Sequence, residues 1–82
     1  MKRQLILEQW NTFSRVVLPP DCHPTQKKEM RRAFYSGASS LFQSVMQALS
    51  PGENVTRGDL DAIENIEDEL VAFTDLVKAG KA

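Results

Sequence analysis

The 82-residue sequence predicts an all-α fold: a three-helix antiparallel arrangement with a long central helix, completed by oligomerisation. Three observations carry this reading. Apolar residues return at steps of three and four in three separate segments. All four prolines fall between those segments or in a first helical turn, where helices tolerate them. The two connectors are short, which makes consecutive helices antiparallel neighbours. The helices are expected at about 2–18, 24–49 and 57–79, in a single helical domain covering 1–82.

In the first helix, Ile6, Trp10, Phe13 and Val17 recur at i, i+4, i+7 and i+11, and Leu5 and Val16 widen that face. Trp10, the only tryptophan, is expected to anchor a core or an interface. Pro19-Pro20 ends the helix, because a proline disfavours helical backbone at the residue before it, here Leu18. Asp21, Cys22 and His23 form a connector in which Cys22 and His23 are expected to be incidental.

The central helix, Pro24 to Leu49, is the longest uninterrupted pattern. Met30, Phe34, Gly37, Leu41, Val45 and Ala48 lie on one face, which is the expected core. Phe42, Tyr35, Met46 and Leu49 fall beside it, so the apolar arc is nearly half the circumference and one intramolecular partner would not cover it. Ala33, Gly37, Ser40 and Ser44 line one flank. A helical glycine costs about 1 kcal/mol against alanine, so Gly37 suggests close packing by a helix or a ligand. Ser50-Pro51-Gly52 stops the helix, and Glu53-Asn54 continues the turn.

Thr56 is the expected N-cap of the third helix, with Asp59 at N3 as a variant capping box and Val55 with Leu60 as a hydrophobic staple. Ile63, Ile66, Leu70, Phe73 and Val77 alternate steps of three and four, the narrow seam of a coiled-coil-like packing. Asp61, Glu64, Asp68 and Asp75 occupy the opposite face. Gly80 is the expected C′ residue, and Lys78 suits the negative end of the helix dipole.

Chemistry concentrates on the margin of the central helix. Lys28, Arg32, Tyr35 and Ser39 lie along it, Arg31 sits just inside, and Ser36 is adjacent. Arginine supplies a planar fork for phosphate or carboxylate, lysine a point charge, tyrosine a flat face and serine a short hydroxyl. The group suits a nucleotide or another organic anion. A plainer reading has Arg31 and Arg32 snorkelling to water and pairing with carboxylates of a neighbouring helix.

Composition narrows the function classes. Hydrophobic residues at 41% and charged residues at 26% are those of an ordinary globular protein. No apolar run reaches the length of a membrane span, and Met-Lys-Arg is followed too quickly by polar residues for a signal peptide, so a cytosolic protein is expected. One cysteine excludes an intramolecular disulfide. A net charge of −1 gives no reason to expect nucleic acid as partner. Residues 1–50 nevertheless carry +4 and residues 51–82 carry −5, so the halves attract.

Asp61, Glu64 and Asp68 invite a metal reading, but bundle metal sites add histidine, and the only one here lies in a distant turn. No Gly-rich phosphate loop, nucleophile elbow or triad pattern is present. No metal, cofactor or enzymatic activity is expected.

The segment Met30-Arg31-Arg32-Ala33-Phe34-Tyr35-Ser36-Gly37-Ala38 resembles a family of small helical accessory proteins of tailed phages and prophages. Pro19-Pro20-Asp21, Leu49-Ser50-Pro51-Gly52 and Asp59-Leu60 extend that resemblance over most of the chain. It implies a viral setting and action by binding, not turnover. The expected function is counter-defence: sequestration of a small anionic nucleotide signal between subunits of a homo-oligomer. Lys28, Arg31 and Arg32 would neutralise phosphate, Tyr35 would stack on the base, and Ser36 or Ser39 would hydrogen-bond sugar or phosphate. The alternative is a helical factor that binds and modulates a host protein.

Overall fold

The computed structural model describes residues 2–52 and 54–82. Among them the regular elements are all helical: α1 (Leu5–Val17), α2 (Pro24–Ala48) and α3 (Arg57–Lys78). None of these helices is long and apolar enough to cross a membrane. The chain divides into two compact units, Met1–Phe42 and Gln43–Ala82, with the boundary inside α2.

In the first unit, α1 begins three residues later than the apolar pattern predicts. Gln4 sits at φ −102° and ψ 83°, outside the helical region, and supplies no side-chain cap. With its first amides uncapped, the segment before Leu5 does not join the helix. Arg3 instead clasps Glu8 side-on, Nη2 to Oε1 at 2.6 Å and Nε to Oε2 at 3.2 Å. At the other end, Leu18 is extended (φ −84°, ψ 137°), as the following proline requires.

The connector that follows is more ordered than its composition suggests. The Cys22 amide donates to the Pro19 carbonyl at 3.0 Å, closing a turn with Pro20 at its second position. His23 then acts as the N-cap of α2. Its Nδ1 accepts the Thr25 amide at 3.1 Å, and its carbonyl accepts the Lys27 amide at 3.0 Å. His23 is therefore a structural residue of the turn.

Trp10 is the centre of this unit, with only 4% of its surface exposed. Its ring lies 5.8 Å from Phe13 and 5.5 Å from Phe34, the latter edge-on at 62°, while Phe13 and Phe34 are 5.3 Å apart. These offset and edge-to-face contacts are the favoured geometries for aromatic quadrupoles, and they hold α1 against the first part of α2. Beyond this triad, burial falls off sharply. Met30 and Phe34 are half-buried, whereas Gly37 and Leu41, on the same expected core face, are exposed. A Cβ built on Gly37 would meet nothing within 4 Å. Among the described residues of this unit, the close packing expected at Gly37 is thus not made.

In the second unit, Val45 and Leu49 are half-buried, and Ala48 is exposed. The Leu49 amide still donates to the Val45 carbonyl at 3.0 Å, although α2 ends one residue earlier. Of the turn expected over Ser50 to Asn54, Glu53 lies outside the described residues. Gly52 takes φ +116°, a conformation L side chains rarely adopt.

The start of α3 matches its sequence signature. Thr56 Oγ1 accepts the Asp59 amide at 3.0 Å, and Asp59 Oδ2 accepts the Thr56 amide at 3.0 Å, a reciprocal capping box. Asp59 Oδ1 accepts a third amide, that of Ser50, at 2.7 Å. The Asp59 side chain is buried, with 4% exposure, and these amide donors hold its carboxyl below the ordinary carboxylate value, Thr56 contributing most. Val55 and Leu60, placed as a hydrophobic staple, both stay exposed.

At its far end α3 closes with a Schellman motif. Gly80 adopts φ +73°, its amide donates to Val77, and the Lys81 amide reaches back to Leu76 at 2.9 Å. Of the seam residues between these caps, only Ile66 is half-buried. Ile63, Leu70, Phe73 and Val77 remain exposed, Phe73 by 57%.

Candidate functional site

Four of the six residues singled out from the sequence line one hollow. Lys28, Arg31, Arg32 and Tyr35 surround an open depression of about 330 Å³ on α2. Their spacing of i, i+3, i+4 and i+7 explains the convergence, since a helix brings those positions to one face within two turns. Lys28, Arg31 and Arg32 give its lining three cationic groups, and Tyr35 gives it an aromatic wall.

Arg31 is steered by that wall. Its guanidinium carbon lies 5.6 Å from the Tyr35 ring centroid, a cation–π contact that aligns a delocalised cation along the aromatic face. Tyr35 is itself half-buried and positioned from behind by Phe34, whose ring is 6.3 Å away at 64°. The Trp10, Phe13 and Phe34 triad thus supports the site through Phe34.

Among the described residues, neither Lys28, Arg31 nor Arg32 forms an ion pair with a carboxylate; the ion pairs there are Arg3 with Glu8 and Arg57 with Asp61. The pairing of Arg31 and Arg32 with carboxylates of a neighbouring helix, weighed from the sequence, does not occur among them. Helix α2 carries four cations against a single acid, Glu29. A concentration of cations without internal counter-ions attracts an external anion.

A second hollow, of about 260 Å³, adjoins the first across Tyr35. It is lined by Ile6, Tyr35, Ala38, Ser39 and Phe42. Ser39 therefore belongs to this apolar hollow and not to the cationic one, while Ser36 lines neither and is exposed. On the other side, a third hollow shares Lys28 and Arg31 with the first and adds Trp10, Pro24 and Lys27.

Lys27, Ile6 and Phe42 are site-bordering residues that sequence reasoning left out. Lys27 was visible as the neighbour of Lys28. Ile6 could not be placed, because it reaches the site from another helix.

Asp61, considered for metal binding, pairs with Arg57 Nε at 3.4 Å. Among the described residues no three His, Cys, Asp or Glu side chains come together in a way that could hold a metal ion.

No protein-family model, curated protein or solved structure matches the chain.

Proposed function

We propose that the protein binds a small anionic nucleotide on α2 and retains it without turnover. The observation that carries this reading is the sharing of Tyr35 between a cationic and an apolar hollow. A nucleotide joins an anionic phosphate to a flat, weakly polar ring, and the two hollows offer those environments side by side. Phosphate oxygens would meet Arg31, Arg32 and Lys28, which present charge-assisted donors. The base would enter on the side of Ile6 and Phe42 and lie against Tyr35, with Ser39 as the nearby hydroxyl. Ser36 has no part in this arrangement.

Retention of a signal nucleotide without chemistry is the action of a counter-defence factor. The resemblance of the Met30 to Ala38 segment to small accessory proteins of tailed phages supports that setting, in the host cytosol.

The test is native mass spectrometry of gently purified protein, followed by calorimetric titration with adenine and guanine mono- and dinucleotides and with inorganic phosphate. Retained nucleotide mass, and binding that falls at least about tenfold in Arg32→Ala and Tyr35→Ala, equivalent to roughly 1.4 kcal/mol, would support the reading. Binding unchanged in both variants overturns it.

A second reading, a helical factor that binds and modulates a host protein, is favoured by the exposure of Leu41 and Phe42, the latter by 66%. Recovery of one stoichiometric host protein, lost in Phe42→Asp, distinguishes it.

A further inference from the structure

The cations of α2 come in two pairs on consecutive turns. Lys27 and Lys28 precede Arg31 and Arg32 by four residues each, which sets the pairs about 6 Å apart along the helix axis. Tyr35 follows one turn after Arg31, and Ala38, Ser39 and Phe42 follow Tyr35. The helix therefore carries these groups in a fixed order: cation pair, cation pair, ring, apolar wall. All of them belong to the unit Met1–Phe42.

Three hollows of that unit keep the same order. The apolar one, with Ile6 and Phe42, meets the cationic one at Tyr35. The cationic one overlaps the third, of about 360 Å³, at Lys28 and Arg31, and the third adds Lys27. A phosphate bound beside Tyr35 among Lys28, Arg31 and Arg32 would leave Lys27 and the third hollow unused. A second phosphate joined to the first would enter there and share Lys28 and Arg31 with it, each oxygen meeting a charged donor. Glu29, the one acid of α2, lines neither hollow.

The cationic end gives a second base nowhere to stack. The ring that lines the third hollow is Trp10, which is 4% exposed and engaged by Phe13 and Phe34 at 5.8 and 5.5 Å. A ring enclosed in this way has no open face for a base. Charge and accessible ring thus lie at opposite ends of the run, as they do in a nucleotide with one base and a chain of phosphates.

We infer that the ligand is a nucleoside polyphosphate, lying along α2 with its base at Ile6 and Phe42 and its terminal phosphate at Lys27. Lys27 is then a specificity residue that reads the length of the phosphate chain. This inference rests on the nucleotide reading of the same site and goes beyond it by naming the ligand class, in which monophosphates and dinucleotides are the weaker ligands.

Calorimetric titration of the full chain at constant ionic strength, with adenosine and guanosine mono-, di- and triphosphates, a dinucleotide and inorganic triphosphate, tests it. Affinity is expected to rise at least about tenfold from monophosphate to triphosphate for one of the bases. Lys27 is exposed and its backbone amide stays bonded to His23, so Lys27→Ala is expected to fold. It should lower triphosphate affinity at least about fivefold and leave monophosphate affinity within about twofold. Lys2→Ala, which removes a cation from outside the run, should change neither. A monophosphate or dinucleotide that binds as tightly as the triphosphates overturns this inference and leaves the nucleotide reading standing. So does a Lys27→Ala loss that is equal for mono- and triphosphate, or that Lys2→Ala matches. Inorganic triphosphate binding as tightly as the nucleoside triphosphates, or no binding of any nucleotide, overturns both.

Discussion

The Asp59 carboxylate accepts the amide of Ser50, nine residues earlier, at 2.7 Å through Oδ1, while Oδ2 completes the capping box with Thr56. One side chain therefore fixes both ends of the α2–α3 connector. These bonds favour the ionised form and hold the Asp59 carboxyl below its ordinary value of 3.8. Their stabilisation is complete above that value and is lost as pH falls through the lower value of the folded state. Thermal melts are expected to be insensitive to Asp59 near neutrality and to drop as the solution is acidified below about pH 4. Asp59→Asn places an NH2 group against an amide N–H, so the variant should melt lower at pH 7 and lose that part of the acid dependence.

The helix termini of α3 can be weighed separately. Thr56→Ala removes the acceptor of the Asp59 amide and is expected to cost about 1 kcal/mol. Gly80→Ala keeps the chain in a left-handed conformation that a Cβ disfavours, at a cost of about 1–2 kcal/mol. Urea titration followed by circular dichroism would give both values.

Phe34 links the buried Trp10 to the wall of the candidate site. Phe34→Ala is expected to cost about 2 kcal/mol, less than the 3–5 of a fully enclosed phenylalanine, because the ring is only half-buried. Trp10 fluorescence should shift to longer wavelength as water reaches the indole. An unshifted spectrum would show that the aromatic triad does not form in solution.

Gly37 gives a prediction of the opposite sign. Among the described residues of its unit nothing lies within 4 Å of its missing Cβ, so Gly37→Ala is expected to raise helix stability by about 1 kcal/mol. A loss of stability or of assembly mass, measured by denaturation and sedimentation, would reveal a neighbour pressed against α2 at that point.

Local signals in the sequence were reliable where the interaction is itself local. Thr56 and Asp59 lie three residues apart, and Gly80 needs only its own backbone conformation, so both α3 termini were legible. The helical spacing of Lys28, Arg31, Arg32 and Tyr35 likewise fixed their convergence. The Ser50 bond to Asp59 was not legible, because it depends on how a loop closes. Nor was the His23 cap, since imidazole is an uncommon substitute for the short oxygens preferred at that position. The apolar period of α2 marked which residues share a face, but not that Gly37, Leu41 and Ala48 would be exposed. Periodicity describes a helix, whereas burial depends on what lies opposite.

All four side chains around the cationic hollow come from one stretch of eight residues, Lys28 to Tyr35, spanning about 10 Å of helix. Their relative register is set by the helix alone and owes nothing to loop conformation. Such a surface is portable: transplanted onto an exposed helix of an unrelated scaffold, the stretch would carry its three cations and its ring in the same order. It would arrive without the apolar hollow, whose Ile6 wall comes from α1. The transplant would therefore separate affinity for the anion from preference for the ring attached to it.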